Sequence, residues 1–242
     1  ILPEASFFGE EDTNNNIKDL EKEYIFYIDP IDGTTNFMFN YYHSSVSVGL
    51  CQNGEMIAGF VYNPFVDKLY KAIKNEGAFL NDKKLTMKDL SVEEGIVAFG
   101  CARYNECDVN ILFETVKELF LKSLSIRSGG SAAIDISRIA EGSNVIYLEY
   151  KLQPYDYAAA SVILEEAGGI ITRIGDDSFN IPLGGSLTPQ EWVGLDTFAG
   201  TVEFMRKYIP AEIADTLTLD EWNAIIEAWK IETSKGGKTA GE

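Results

Sequence analysis

Residues 28–37 read IDPIDGTTNF. Two carboxylates, Asp29 and Asp32, flank a proline and an isoleucine, and the small polar run Gly33–Thr35 follows directly. Neighbouring negative charges repel each other unless a cation lies between them. The N–H groups of a glycine turn that enters a helix can hold a phosphate oxygen. Asp-x-x-Asp-Gly alone is also typical of a surface turn, but the longer pattern favours a site for a cation and a phosphate.

The composition restricts the classes of partner. The chain has 242 residues, a net charge of −18 and a pI near 4.4, which argues against nucleic acid and anionic membranes. No apolar run has the length of a membrane span. Cys51, Cys101 and Cys107 lack metal-ligand spacing, which predicts reduced thiols in a cytoplasmic protein. With His43 as the single histidine, a zinc site or a Ser-His-Asp triad is disfavoured. We interpret His43 as a packing or surface residue.

The first half of the chain has the pattern of an antiparallel meander. Apolar and alternating segments predict strands over 22–29, 45–52, 56–62 and 68–73, followed by a short hairpin over 77–85. Asn53-Gly54 lies between two of these strands and is typical of a two-residue hairpin turn.

The second half alternates between strand and helix, which predicts layers of sheet and helix. The pattern indicates strands over 96–99, 144–149 and 170–173, and helices over 108–124, 132–140, 155–166 and 198–208. Asp108 is the predicted N-cap of the first of these helices. A capping box at 218–221 predicts a further helix over 222–231, whose apolar face is expected in the core or in a subunit contact. Residues 234–242 form a polar tail.

Further acids fall where elements end or begin. Glu10 and Glu11 follow an apolar pair, and Asp156 opens the alanine-rich helix. Such acids repel one another unless a cation joins them. Carboxylate and carbonyl oxygens without histidine or cysteine favour a hard ion such as magnesium.

Several motifs together resemble the inositol monophosphatase family, the magnesium-dependent, lithium-sensitive phosphatases. They are GEE at 9–11, DPIDGTTNF at 29–37, GAFLND at 77–82, RSGGSAA at 127–133, and a glutamate at 149 followed by YDYAA and EEAGG up to 169. Tyr155 stands where the family usually has tryptophan, and Asp156 is intact.

The resemblance implies the site residues, each carried over to its position here. Two or three magnesium ions would be bound by Glu10, Asp29, the carbonyl of Ile31, Asp32 and Asp156. The catalytic residues would be Glu10, Asp29 and Thr34. The substrate would contact Asp32, Gly33, Thr34, Gly130, Ser131, Ala132 and Glu149. An exposed acid at a strand end is the alternative interpretation of Glu149.

The resemblance also implies a fold and a domain organisation. The fold class is α/β, the layered αβαβα sandwich of the sugar-phosphatase type. Only residues 1–8 precede the first motif, so the amino-terminal helical layer is expected to be missing or truncated. We expect a phosphatase domain over 1–208 and a carboxy-terminal extension over 209–242 with one helix and a polar tail. Family members are commonly homodimers, and a homodimer is expected here.

The expected activity is that of a phosphoric monoester hydrolase. A metal-activated water would attack the phosphate directly, and myo-inositol monophosphate is the leading substrate. Fructose-1,6-bisphosphatase and 3′(2′),5′-bisphosphate nucleotidase activities are the alternatives within the enzyme class. Outside it, the chain would be a regulatory binding protein that retains the metal site, or a domain that binds calcium structurally.

Overall fold

The computed structural model describes residues 5–10, 22–88, 90–101, 106–150, 152–173 and 197–201. Within these ranges, the larger sheet has seven strands in sequence order. Strand β1 lies parallel to β2, and each later strand is antiparallel to its neighbour. The strands are β1 Ser6–Gly9, β2 Tyr24–Asp32, β3 Ser45–Gln52, β4 Glu55–Asn63, β5 Lys68–Ile73, β6 Gly77–Leu80 and β7 Lys83–Lys84.

The second sheet has five described strands in the order β11-β12-β10-β8-β9. Strand β8 lies parallel to both of its neighbours, whereas β12 is antiparallel to β10 and β11. These strands are β8 Ile96–Phe99, β9 Ser125–Arg127, β10 Ile146–Glu149, β11 Gly169–Arg173 and β12 Thr197–Thr201.

Helices form the other layers. They are α1 Thr34–Met38, α2 Glu106–Lys122, α3 Ala132–Ala140 and α4 Pro154–Glu166, with a 3-10 turn at Val92–Glu94. Helices α3 and α4 pack between the two sheets, and α2 packs on β8 and β9. The described layers therefore run sheet, helix, sheet, helix, which confirms the layered α/β fold class.

The alternation of side chains along the strands explains this layering. In β8 and β10, Ala98 and Tyr147 join the core formed with α3 and α4. Phe99 and Leu148, one residue further along, pack with Leu112 of α2. Because successive residues of a strand point to opposite faces, the second sheet is buried on both sides.

Helix α4 lies unusually close to the larger sheet. A side chain at Gly59 in β4 would overlap the backbone of Ala159. The run Ala158–Ala160 of α4 is completely buried. Small residues on both surfaces allow this close approach. It places the start of α4 beside the end of β2 and the beginning of β3.

Most of the predicted elements are confirmed, with shifts of up to three residues at their ends; the largest is at β2, which was predicted to end at Asp29 and ends at Asp32. Asn53 and Gly54 have φ values of 50° and 84°, as a type I′ hairpin turn requires. Among the described residues, no helix has the length and apolar character needed to cross a membrane.

Two predictions on single elements are wrong. Helix α2 begins at Glu106, so Asp108 lies inside its first turn and is not the N-cap. Residues 197–201 form strand β12, although a helix was predicted from 198. This short TFAGT segment pairs with strands on both sides, and these pairings override its weak helical pattern. The predicted helix over 222–231 and the tail over 234–242 lie outside the described residues.

Candidate active site

The two aspartates of the opening motif lie at the end of β2 on the same side of the sheet. Residues three apart on a regular strand would face opposite sides. Here the register against β3 shifts, so that Asp29 pairs with Ser47 while Asp32 pairs with Ser45. This one-residue bulge turns both carboxylates inward, where Asp29 is 2% and Asp32 is 6% exposed.

Asp29 is buried beside other acids. Its Oδ1 accepts a hydrogen bond from the N–H of Ile31 at 2.9 Å. Burial raises its pKa to about 8, and the charges of Asp32 and Glu10 contribute to the shift. Glu10 follows β1, and its backbone N–H donates to the carbonyl of Ile28 at 3.3 Å. The parallel pairing of β1 and β2 thus brings Gly9 and Glu10 to the opening motif.

Asp32 connects the sheet to the start of α3. Its Oδ2 accepts hydrogen bonds from the Ser131 hydroxyl, from the Ser45 hydroxyl at 3.2 Å and from the N–H of Ala133 at 3.1 Å. Burial raises its pKa to about 6 despite these three donors. Ser131 also caps α3, since its Oγ accepts from the N–H of Ile134 at 3.3 Å.

Asp156 lies in the first turn of α4. Its Oδ2 accepts a hydrogen bond of 2.6 Å from the N–H of Gln153. Burial raises the pKa of Asp156 well above its usual value, and three neighbouring acids add to the shift: Asp32, Asp29 and Glu149. The packing of α4 on the larger sheet therefore makes Asp156 a neighbour of Asp29, although the two residues lie far apart in the sequence.

These oxygen-rich surroundings fit a hard divalent cation. Buried carboxylates that raise one another's pKa are stabilised when a cation is placed among them. Within the described ranges, no three His, Cys, Asp or Glu side chains yet converge on one point that could hold an ion. One oxygen of Asp29 and one oxygen of Asp156 accept a hydrogen bond from a backbone N–H. The acids are thus neighbours but do not form a closed ligand shell.

Gly33 begins the turn beside the acids. Its φ of 83° is in the left-handed region, and a Cβ there would lie 2.9 Å from the carbonyl oxygen of Gly130 and 3.0 Å from that of His43. Only glycine fits this position without strain. Helix α1 starts at the next residue, and the Thr34 hydroxyl donates to the carbonyl of Ile31 at 3.0 Å.

The residues of the RSGGSAA motif reach the same place. Ser131 and Ala132 are buried at the start of α3, and Gly130 is exposed with a φ of 78°. Glu149 ends β10, is partly buried and accepts a hydrogen bond from the Tyr147 hydroxyl. A buried donor of this kind disfavours the interpretation of Glu149 as a simple exposed acid.

A family model for the inositol monophosphatase family matches residues 1–207. The chain belongs to the inositol monophosphatase family.

Curated relatives and solved structures agree with this membership. The chain is 39% identical over 177 residues to the fructose-1,6-bisphosphatase/inositol-1-monophosphatase of Aquifex aeolicus. This match covers 73% of the chain and 66% of that relative. The chain is 36% identical over 182 residues to the inositol-1-monophosphatase of Bacillus subtilis, covering 74% and 67%. The inositol monophosphate-bound structure of SaIMPase-II superposes with a TM-score of 0.72 at 28% identity, covering 96% of this chain and 83% of that one. The matched region spans about two thirds of the curated relatives.

Two polar contacts near the site were not predicted from the sequence. The Asn36 side chain donates to the carbonyls of His43 and Gly129, each at 2.8 Å, and so ties the opening motif to the RSGGSAA loop. His43, whose side chain is 17% exposed, lies 3.2 Å through its Nε2 from Oδ1 of the buried Asp135. The asparagine inside DGTTNF was an available signal for the first contact. The second joins residues 92 positions apart, and no local pattern indicates it.

Proposed function

We propose that this protein is a magnesium-dependent phosphatase that hydrolyses a phosphate monoester, most directly myo-inositol monophosphate, to the alcohol and inorganic phosphate. The observation that carries the proposal is the bulged end of β2, which buries Asp29 and Asp32 side by side next to the Gly33 turn. Family membership supports the same chemistry, because the relatives are named as phosphatases of this class.

The residues that would hold two or three magnesium ions are Glu10, Asp29, the carbonyl of Ile31, Asp32 and Asp156. When bound, magnesium neutralises the acids and the phosphate and makes a bound water more acidic. Oδ2 of Asp32 accepts the three hydrogen bonds described above, and Oδ1 accepts none of them. Because Oδ2 accepts these hydrogen bonds and Oδ1 does not, Oδ1 is the oxygen that would bind the metal.

The chain's own residues would orient and activate the attacking water. The Thr34 hydroxyl donates a hydrogen bond to the Ile31 carbonyl, so its oxygen is able to accept a hydrogen bond from a water. The exposed carboxylate of Glu10 would take the proton that this water loses. The N–H groups of Gly33 and Thr34, at the start of α1, would bind phosphate oxygens. Direct attack by water needs no phosphorylated side chain.

The alcohol would lie against the start of α3 and the end of β10. Gly130, Ser131 and Ala132 form the first of these walls, and Glu149 forms part of the second. Asp32 lies between the phosphate turn and this wall, because its hydrogen bonds to Ser131 and Ala133 join β2 to α3.

A second candidate is fructose-1,6-bisphosphatase activity. The relative from Aquifex aeolicus has both activities in its name. A nucleotidase is less favoured by the sequence, since those enzymes tend to carry a lysine after the first threonine of the motif and this chain has Thr35.

A phosphate-release screen tests the proposal. We expect hydrolysis of inositol monophosphates with magnesium, none after chelation, and inhibition by added lithium. Fructose-1,6-bisphosphate and adenosine 3′,5′-bisphosphate in the same screen would identify the alternative enzymes. Magnesium binding without hydrolysis of any of these substrates would contradict the proposal and favour a regulatory binding protein.

We further propose that the protein is a cytoplasmic homodimer. The buried free thiol of Cys51 supports a reducing compartment. An aromatic patch beside α1 supports self-association, since its members are between 37% and 77% exposed: Phe37, Phe39, Tyr41, Tyr42 and Phe65.

Replacing Phe39 by Glu is expected to convert the homodimer into a monomer, because the charge would enter an apolar contact. Sedimentation velocity of both proteins measures the change. Phe120→Glu, at an exposed aromatic position on α2 that is not a member of the patch, is the matched control. A wild-type protein that sediments as a monomer would refute the dimer.

A further inference from the structure

Tyr147 lies beneath the alcohol side of the site. It is 1% exposed and belongs to the core between the sheets. Its hydroxyl donates to Oε2 of Glu149. Because the two residues are two positions apart on β10, their side chains lie on the same face of the strand. Burial raises the pKa of Tyr147 well above its usual value, so the hydroxyl keeps its proton.

The buried position of Tyr147 gives this hydrogen bond a definite geometry. A tyrosine ring packed in a core has little freedom, so its hydroxyl fixes one oxygen of the Glu149 carboxylate. A hydrogen bond to a charged group is roughly twice as strong as one between neutral groups, so this contact restrains the carboxylate.

Gly100 restricts the same carboxylate from another direction. It follows β8, and its N–H donates to the carbonyl of Leu148 at 2.9 Å. A methyl group at Gly100 would overlap the carboxylate of Glu149. The absence of a side chain at this position therefore provides the space that the carboxylate occupies.

We propose that Tyr147 and Gly100 are positioning residues that hold the Glu149 carboxylate as a hydrogen-bond acceptor for hydroxyl groups of the substrate alcohol. The contact of Glu149 with the alcohol belongs to the proposed function; the new inference is that Tyr147 and Gly100 determine how strongly this contact distinguishes polyol monoesters from monoesters without free hydroxyls. A site built to hydrogen-bond a hydroxyl discriminates strongly against a substrate without one, because its buried acceptor is left unpaired. This inference rests on the proposed phosphatase function.

The test compares two substrates in two matched variants. The rates with inositol 1-phosphate and with phenyl phosphate, whose ring has no free hydroxyl, give a ratio of kcat/KM values. Tyr147→Phe is expected to lower this ratio about tenfold, mainly through KM for the inositol ester. Tyr27→Phe is the control: Tyr27 is equally buried, and its hydroxyl has no partner among the described residues. We expect this control to leave the ratio unchanged.

Two further measurements separate positioning from a merely structural role. Gly100→Ala is expected to lower the same ratio while the Tyr147 hydroxyl is retained. In a Glu149→Gln background, Tyr147→Phe should produce little further change in the ratio, because the group that it positions has already been altered.

An equal loss of activity towards both substrates in Tyr147→Phe would overturn the inference, as would an unchanged ratio. If Tyr147→Phe does not fold, the ratio for Gly100→Ala decides alone. Wild-type protein that hydrolyses neither substrate with magnesium would overturn the proposed function and this inference with it. Activity with a ratio insensitive to these variants would overturn the inference alone.

Discussion

Replacing Asp29 by Asn should lower kcat at least about a thousandfold, equivalent to roughly 4 kcal/mol of transition-state stabilisation. Asp29 is only 2% exposed, and it is close enough to Asp32 and Glu10 for their charges to raise its pKa. An amide has nearly the same shape but no negative charge, so it binds a magnesium ion poorly. Steady-state hydrolysis of inositol monophosphate at saturating magnesium measures the loss.

The same substitution should stabilise the metal-free protein. A buried carboxylate whose pKa is raised to about 8 is unfavourable when charged, and asparagine removes that charge. We expect the Tm without magnesium to rise by about 3–6 °C, a change opposite to that of a damaged fold. Asp82→Asn, at a fully exposed carboxylate, is the matched control and should change neither quantity. An active Asp29→Asn enzyme would contradict the assignment of Asp29 as a ligand.

Local patterns determined which elements the sequence could predict. Alternating strands such as β3 and the Asn53-Gly54 turn depend on neighbouring residues, so they were predicted correctly. Strand β12 has no such pattern and exists because β10 and β11 provide partners on both sides. The parallel pairing of β1 with β2 is likewise a tertiary contact that no local period indicates.

The candidate site divides in the same way. The acids and the glycine turn lie in short motifs, so their positions were named from the sequence. The bulge that turns Asp29 and Asp32 to one side depends on the pairing of β2 with β3. Tyr147 looks like an ordinary apolar core residue in the sequence, and its role emerges only from the direction of its hydroxyl. Residues that orient the site were therefore harder to predict than residues that would touch the substrate.

Magnesium should raise the Tm of the wild-type protein, and by more at about pH 8 than at about pH 6. The metal-free pKa values of Asp29 and Asp32 are raised to about 8 and about 6. A raised carboxylate pKa means that the folded state holds protons that the unfolded state releases. The stabilisation that comes from these bound protons is complete below about pH 4, and it is lost as the pH rises through the raised pKa of the folded state.

Magnesium would replace these protons among the acids, so it competes with them at low pH and binds best where the metal-free site is least stable. At a concentration 100 times Kd, a ligand of the folded state adds about 2.7 kcal/mol, or roughly 5–10 °C in Tm for a chain of this size. Thermal melts with and without magnesium at both pH values measure the effect, and Asp29→Asn should lose most of it. A gain that is equal at both pH values, or equal in the variant, would place the bound ion away from these carboxylates.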